Sequence, residues 1–301
     1  MDTLTIKIRG DLRRYRQQIL SQQKDRWRMM QIVVLTSSLV VLGLAFIAKP
    51  HPIQHFIPLL LFSPILYLLA TRRLWNDIPR GKLLNRAFAA LLIVLSFAAG
   101  FLYPDQDGPQ NRIAPWLTLT FPFITWPILV RLFMTQPQAA RRYGMQLYQP
   151  FLNIGTGIFI GASLAFHQFL VSRILPGLPY PLPILQPEST AWLVGVLTGL
   201  VIPAEELLFR GEAFSLHFDN LGNSLRKSII RITVLNSAVY LVLLLYSMTN
   251  FALLSAGILG IFYKAILSAA CLFIMYRRRN LMTCYTANLT YMLLAGQVFF
   301  L

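Results

Sequence analysis

The chemistry that this sequence offers is concentrated in one short acidic segment. The chain has four glutamates, and three of them, Glu205, Glu206 and Glu212, lie within eight residues together with Arg210. The segment stands at the end of a long apolar run, where an ionisable side chain is costly and marks a functional site by default. A carboxylate in such a place can act as a general base that activates water. The alternative is a solvated turn at a membrane surface, which requires the apolar helix to end near Leu200.

Helical spacing predicts how these side chains pair. Glu206 and Arg210 are one turn apart on an α-helix, so they can form an ion pair. Glu205 is predicted to point to a neighbouring face, together with Leu208 and Glu212. The spacing therefore predicts one carboxylate paired with the arginine and another that faces elsewhere.

Membrane helices are the elements that must position this segment. Hydrophobic residues make up 56% of the 301 positions and charged residues only 13%, a balance that is not typical of a water-soluble chain. Nine apolar runs approach or exceed the length of about 18 residues that a bilayer crossing needs. They are 30–47, 56–70, 87–102, 115–133, 148–171, 191–209, 229–246, 251–276 and 281–301. The sequence thus predicts an all-α, polytopic integral membrane protein with about nine transmembrane helices, with eight to ten left open.

The basic residues predict the orientation of these helices. With the N-terminus in the cytoplasm, twenty-three lysines and arginines fall on inside segments and only Lys49, Arg112 and Arg173 fall outside. This asymmetry follows the positive-inside rule and places the C-terminus outside. It also explains the net charge of +16 without a nucleic-acid partner, because the basic clusters lie between apolar runs and form no soluble basic face.

Composition divides the chain into three parts. Residues 1–29 form a basic cytoplasmic tail, residues 30–175 the N-terminal transmembrane helices and residues 191–301 a C-terminal transmembrane core. A proline-rich outside loop, 176–187, separates the two membrane parts. The tail either forms an amphipathic helix on an anionic inner leaflet or is a solvated segment that sets topology. The apolar positions of the amphipathic alternative are Ile8, Leu12, Tyr15 and Ile19.

Small residues and cysteines indicate packing rather than chemistry. Glycines in two GxxxG pairs let neighbouring helix backbones approach closely. These pairs are Gly157 with Gly161 and Gly195 with Gly199. Cys271 and Cys284 lie inside apolar runs without the spacing of a zinc site or a disulfide framework, so each is expected to be buried and structural. No metal site and no cofactor is predicted.

The acidic segment resembles the first motif of a known family. Glu205, Glu206 and Arg210, followed by Gly211, fit the pattern Glu-Glu-x-x-x-Arg at the inner end of an apolar helix. This pattern is similar to that of the CPBP family of type II CAAX prenyl proteases and bacteriocin-processing or immunity proteins, and the resemblance covers roughly residues 191–291. It implies an intramembrane peptidase in which Glu205 is the general base, Glu206 and Arg210 support it, and two histidines on later helices complete the site.

The two later motifs of that family have no histidine in this chain. The second motif, Phe-x-x-x-His, falls on Tyr240 to Leu244, where leucine replaces the histidine. For the third, His-x-x-x-Asn, one register places Asn288 and Met292 at the motif positions, and another places Cys284 and Asn288 there. The histidines of the chain are His51, His55, His167 and His217. The expected oxyanion stabiliser and the ligands of a catalytic metal are therefore missing from the motif positions.

Lys264 is a basic residue deep inside a predicted span. It lies twelve residues before Tyr276, about 18 Å from the inner end of the helix at 1.5 Å per residue. At that depth the ammonium must find an anionic partner, lie in a hydrated cavity or lose its proton. We predict that Lys264 approaches Glu205 and Glu206, directly or through water, and holds the site in a paired, inert state. The plainer alternative is a lysine that faces a water-filled crevice without a role.

Two functions remain open from the sequence. One is a catalytically weakened or inactive relative of the CPBP family that acts as a membrane-embedded binding, scaffold or assembly factor. The other is an active, glutamate-dependent intramembrane endopeptidase that cleaves lipid-anchored or transmembrane peptides. The site is expected to be lined by Tyr240, Leu244, Lys264 and Asn288. The expected partners are the lipid bilayer and a membrane protein or a prenylated or lipidated peptide. A bacterial inner membrane is the expected location, and a photosynthetic membrane stays open.

Overall fold

All regular structure in the described part of the chain is helical, as the sequence predicts. The computed structural model describes residues 3–47, 57–76, 78–102, 114–145, 149–174, 187–245 and 251–295. The first six α-helices are α1 (Thr3–Ile47), α2 (Ile57–Asn76), α3 (Gly81–Phe101), α4 (Phe121–Met134), α5 (Pro137–Arg142) and α6 (Pro150–Ile174), with a 3₁₀ segment (Ala114–Thr120) leading into α4. The C-terminal part follows as a long helix that carries the acidic segment and then three further α-helices.

We call the helix that spans residues 187–220 the acidic helix, and it changes its winding along its length. Its segments are α7 (Pro187–Val196), a π-helix (Leu197–Val201), α8 (Ile202–Glu205) and two more π-helices (Glu206–Ala213 and Ser215–Asn220). Pro203 cannot donate a backbone hydrogen bond, and its ring would clash with the carbonyl group four residues earlier. A π-helical turn precedes it, and the carbonyl oxygen of Gly199, four residues before Pro203, accepts a hydrogen bond from the Tyr67 hydroxyl instead. The remaining helices are α9 (Leu225–Leu245), α10 (Phe251–Arg278) and α11 (Leu281–Leu294).

Five helical segments of the described chain are long and apolar enough to cross a membrane, which supports an integral membrane protein. They are Gly81–Phe101, Ala114–Met134, Pro150–Ile174, Thr190–Asn220 and Gly257–Arg278. Each coincides with one of the nine predicted apolar runs. The other four runs overlap α1, α2, α9 and α11, which are helical but do not reach this length and apolarity within the described residues.

The N-terminal tail continues directly into the first predicted span. Both belong to α1, a single helix of 45 residues. Trp27 on this helix is buried against the bundle, whereas Tyr15 and Ile19 on the predicted amphipathic face are exposed. The side chains of Ile8 and Leu12 lie outside the described part, as do residues 176–186 of the predicted proline-rich loop.

The predicted close packing at the GxxxG pairs is confirmed. α6 packs along α11, and a Cβ atom on Gly161 would lie 2.3 Å from the carbonyl oxygen of Ala287. On the acidic helix, a Cβ atom on Gly195 would lie 2.4 Å from the carbonyl oxygen of Thr118. No side chain fits in either place, so glycine allows the backbones to meet. These contacts fix α11 and the acidic helix, which carry most of the candidate site.

Candidate functional site

The acidic segment is buried inside the helical bundle. The side chains of Glu205, Glu206 and Arg210 are 3%, 1% and 0% exposed. The helix that carries them continues to Asn220 and does not end near Leu200. The alternative of a solvated turn at the membrane surface is therefore wrong, and these charges must be compensated by protein groups.

The π-helical winding changes the pairing that α-helical spacing predicts. Arg210 Nη1 lies 3.4 Å from Glu206 Oε1, as expected, but it also donates a hydrogen bond of 2.9 Å to Glu205 Oε1. Residues five apart share a face in a π-helix, because its backbone hydrogen bonds join residues i and i+5. The prediction that Glu205 points to a neighbouring face, separate from the pair of Glu206 and Arg210, is therefore wrong. Both carboxylates face the same guanidinium group.

The carboxylate of Glu205 accepts hydrogen bonds from five side chains on four helical segments. The donors to Oε1 are Arg210 Nη1 at 2.9 Å and Asn236 Nδ2 at 3.0 Å, and the donors to Oε2 are Tyr240 Oη at 2.7 Å, Asn288 Nδ2 at 3.0 Å and Lys264 Nζ at 3.1 Å. An ionised carboxylate offers about four lone-pair sites. Every acceptor position of Glu205 is thus occupied by the protein. We call Glu205, its five donors and Glu206 the carboxylate cluster.

Lys264 makes the contact that its depth predicts. Its ammonium donates to Glu205 Oε2 at 3.1 Å and to the side-chain oxygen of Asn288. It also lies over the ring of Tyr240, 4.8 Å from the ring centroid, where the aromatic face attracts a cation. The side chain is only 1% exposed, so the alternative of a lysine in a water-filled crevice does not describe it. The two cations and two carboxylates of the cluster balance each other in charge.

Asn288 joins both glutamates to Lys264. Its amide nitrogen donates to Glu205 Oε2 at 3.0 Å and to Glu206 Oε1 at 2.7 Å, while its oxygen accepts from the lysine. Cys284 and Met292, which the alternative registers of the third motif place at the site, are buried on the same face of α11. The hydrogen bonds of the Cys284 thiol go to backbone carbonyl groups instead. Asn288 is therefore the residue that connects α11 to the cluster.

Two polar residues in or beside the cluster, Asn236 and Ser268, are absent from the sequence prediction. Asn236 lies one turn before Tyr240 on α9. Besides its hydrogen bond to Glu205, its amide nitrogen lies 3.4 Å from Ser268 Oγ on α10. An amide inside an apolar run is a signal of a polar interior, and this signal was available in the sequence. Leu244, the second residue of the Tyr240 motif, is part of α9, but its side chain lies outside the described part.

Glu212 belongs to a separate contact. It accepts a hydrogen bond of 2.5 Å from the hydroxyl group of Tyr143 and pairs with Arg26 on α1. The Tyr143 hydroxyl also lies 2.8 Å from the carbonyl oxygen of Ala70 on α2. The ring of Tyr143 packs where a Cβ atom of Gly211 would stand, 2.4 Å away. This third glutamate holds α1 and α2 to the acidic helix and takes no part in the carboxylate cluster.

Several polar atoms of the cluster have no hydrogen-bond partner among the described residues. They are Glu206 Oε2, Arg210 Nε, Arg210 Nη2 and Asn236 Oδ1. A buried polar group without a partner is costly, so each such group marks strain or a place for a ligand. Glu205 and Glu206 therefore differ, because the first is saturated with donors and the second keeps one free oxygen.

An apolar cavity of about 370 Å³ lies beside Glu206. Its wall is formed by α4, α5, the acidic helix, α11 and the turn after α5, and includes Trp126, Leu207 and Met282. Among the described residues of this wall, Glu206 is the one carboxylate and Arg141 the one cation. The cavity lies between Glu206 and the end of α5.

The hydrogen bonds of the two described histidines go to residues outside the cluster. His167 contacts the hydroxyl group of Tyr263, and His217 lies 2.9 Å from Ser228 Oγ. His51 and His55 lie outside the described residues. Within the described part, no group of three histidine, cysteine, aspartate or glutamate side chains is placed to hold a metal ion. The carboxylate cluster itself is organised by cationic and amide side chains.

Comparison with known proteins adds no relative. The chain matches no protein-family model, no curated protein sequence and no solved structure.

Proposed function

We propose that this protein is a catalytically silent relative of the CPBP family that serves as a membrane-embedded binding, scaffold or assembly factor. It crosses the membrane about nine times with its N-terminus in the cytoplasm, and a bacterial inner membrane is its location. Its partner is a membrane protein or a lipidated peptide that contacts the C-terminal helices. The motif residues Glu205, Glu206 and Arg210 then have a structural role, in which they join the acidic helix to neighbouring helices.

The saturation of Glu205 is the observation that carries this proposal. A general base must have a free lone pair within hydrogen-bond reach of the water that it activates. Five donors already surround this carboxylate, and one of them is the ammonium of Lys264. A water molecule that approached Glu205 would have to displace a buried, charged partner. The five hydrogen bonds to Glu205 therefore favour a structural role for this carboxylate over base catalysis.

Glu206 favours the alternative function, an active glutamate-dependent endopeptidase. Its Oε2 has no partner among the described residues, and the residue lines the apolar cavity. That oxygen is itself buried, so a water molecule could reach it only after a side chain of the cavity wall moved. In this alternative Glu206 is the general base and Glu205 supports it, which reverses the roles that the family resemblance implies.

A peptidase assay with purified protein tests the two functions. The substrate is a farnesylated CAAX peptide, cleavage is followed by mass spectrometry, and an active CAAX protease serves as the positive control. We expect no cleavage above the level without protein. Cleavage that is lost in Glu205→Gln or Glu206→Gln, but kept in Glu188→Gln, would establish the peptidase and identify its base. Glu188 is a matched control because it is the one glutamate outside the acidic segment, on α7.

A further inference from the structure

Two cysteine side chains meet in the interface between α10 and α11. Cys271 lies on α10 and Cys284 on α11, and both are free thiols that are fully buried, as the sequence predicts. The Sγ atom of Cys284 lies 3.3 Å from the carbonyl oxygen of Cys271, and that of Cys271 lies 3.9 Å from the carbonyl oxygen of Cys284. The two thiol side chains also interact with each other. Because each sulfur reaches the backbone of the other residue, the two residues stand side by side, as a disulfide bond requires.

The cysteine pair lies next to the carboxylate cluster. Cys284 is one helical turn before Asn288 on α11, and Cys271 is two turns after Lys264 on α10. Each cysteine therefore shares a helix face with a residue of the cluster. The Lys264 ammonium donates a hydrogen bond to Asn288 across the same interface. A covalent bond between the two sulfurs would thus fix the two helices that bring Lys264 and Asn288 together.

Burial determines which oxidants can reach the pair. Both cysteines are 0% exposed, so neither a protein disulfide nor the bulky, charged glutathione disulfide can approach a sulfur. Hydrogen peroxide is small and uncharged, and it can pass between helices during local opening of the fold. Cys271 also interacts with the guanidinium group of Arg210, and a neighbouring cation favours attack by sulfur, because the thiolate is the nucleophile. These features favour a peroxide as the oxidant.

We infer that Cys271 and Cys284 form a reversible disulfide bond when the membrane is exposed to hydrogen peroxide. One thiol attacks a peroxide oxygen and breaks the O–O bond, which gives a sulfenic acid and a water molecule. The other thiol then attacks the sulfenic sulfur, and the hydroxyl group leaves with the thiol proton as a second water molecule. Two electrons pass from the sulfurs to the peroxide oxygens. This site is independent of the proposed function, since a scaffold and a peptidase would both contain it.

Counting free thiols by mass spectrometry tests this inference, because the chain contains no cysteine besides these two. The reduced, purified protein is treated with hydrogen peroxide or with glutathione disulfide and is then unfolded in sodium dodecyl sulfate with N-ethylmaleimide. We expect no N-ethylmaleimide adduct after peroxide and two adducts after glutathione disulfide. A reductant added to the unfolded, peroxide-treated protein should restore both adducts, which distinguishes a disulfide from irreversible oxidation of sulfur.

Thermal unfolding tests whether the bond joins α10 to α11. A disulfide that closes a loop of about 14 residues should raise the melting temperature of the peroxide-treated protein by at least about 3 °C. Cys271→Ser and Cys284→Ser each keep one thiol, so peroxide should not raise the melting temperature of either variant above that of its untreated sample. The two variants also control for oxidation of the nine methionines.

Two adducts after peroxide treatment, or an unchanged melting temperature of the disulfide-bonded protein, would overturn the inference. Equal disulfide formation with glutathione disulfide would mean that the pair is open to bulky oxidants and would contradict a peroxide-specific site. Adducts that a reductant does not restore would assign the pair to irreversible oxidation without a bond between the helices.

Discussion

The ammonium of Lys264 lies 3.1 Å from Oε2 of Glu205, and the two side chains are 1% and 3% exposed. A buried ion pair of this kind is no more stabilising than an apolar contact of the same shape, but removing one partner leaves an uncompensated charge. The pair therefore ties α10 to the acidic helix and also removes Glu205 from contact with water. The same interaction explains the packing of the cluster and its proposed lack of base catalysis.

Removing the Tyr240 hydroxyl should destabilise the protein, because it deletes a buried hydrogen bond to the charged carboxylate of Glu205. Tyr240→Phe keeps the ring beneath the Lys264 ammonium and deletes a hydrogen bond of 2.7 Å. We expect the free energy of unfolding, measured by titration with a denaturing detergent, to fall by about 1 to 3 kcal/mol. Tyr276→Phe on α10, where the residue is 39% exposed, should change it by less than about 0.5 kcal/mol. Equal effects of the two substitutions would contradict the role of Tyr240.

The glycine contact between α6 and α11 predicts that alanine substitutions at two glycines of α6 have different effects on the free energy of unfolding. Gly161→Ala places a Cβ atom 2.3 Å from the Ala287 carbonyl oxygen, so α11 must move. Gly155→Ala on the same helix meets nothing within 4 Å. We expect the first substitution to cost about 1 to 3 kcal/mol in the same unfolding titration. The second should be neutral or slightly stabilising, since alanine favours helix. A neutral Gly161→Ala would refute the close approach of α6 and α11.

The charge asymmetry predicts the orientation of the chain. A reporter fused after Leu301 should be active outside the cytoplasm, and one inserted in the basic segment 72–86 should be active inside. Twenty-three basic residues on inside segments against three outside support this arrangement. Both reporters on the same side of the membrane would contradict nine spans. Protease added from outside should also leave the N-terminal tail intact.

Those features that depend on local pattern were predictable from the sequence. Apolar run length identified the helices, and small-residue spacing identified the close contacts at Gly161 and Gly195, because both follow from the geometry of a single helix. The partner of Lys264 was also predictable, since a charge at that depth needs an opposite charge and the acidic segment supplies one. These predictions required no knowledge of the tertiary arrangement.

The remaining features of the site depend on how helices meet and how the acidic helix is wound. The pairing of Glu205 with Arg210 was missed because it requires a π-helix, and α-helical spacing places residues five apart on different faces. Asn236 was recognisable as an amide inside an apolar run, but its partner Glu205 is determined by the contact of α9 with the acidic helix. The separation of Glu212 from the other two glutamates likewise depends on Tyr143, which is 69 residues away in sequence.

A double-mutant cycle on Lys264 and Glu205 tests the central claim most directly. Lys264→Met and Glu205→Gln should each lower the free energy of unfolding, because each leaves a buried charge with one partner fewer, at a cost of up to about 3 to 5 kcal/mol. The double variant should be less destabilised than the sum of the two, by about 1 to 3 kcal/mol. As a control, Lys264→Met combined with Glu212→Gln should be additive, since Glu212 is bound by Tyr143 and Arg26 instead. Strict additivity of Lys264→Met and Glu205→Gln would contradict the paired, inert cluster.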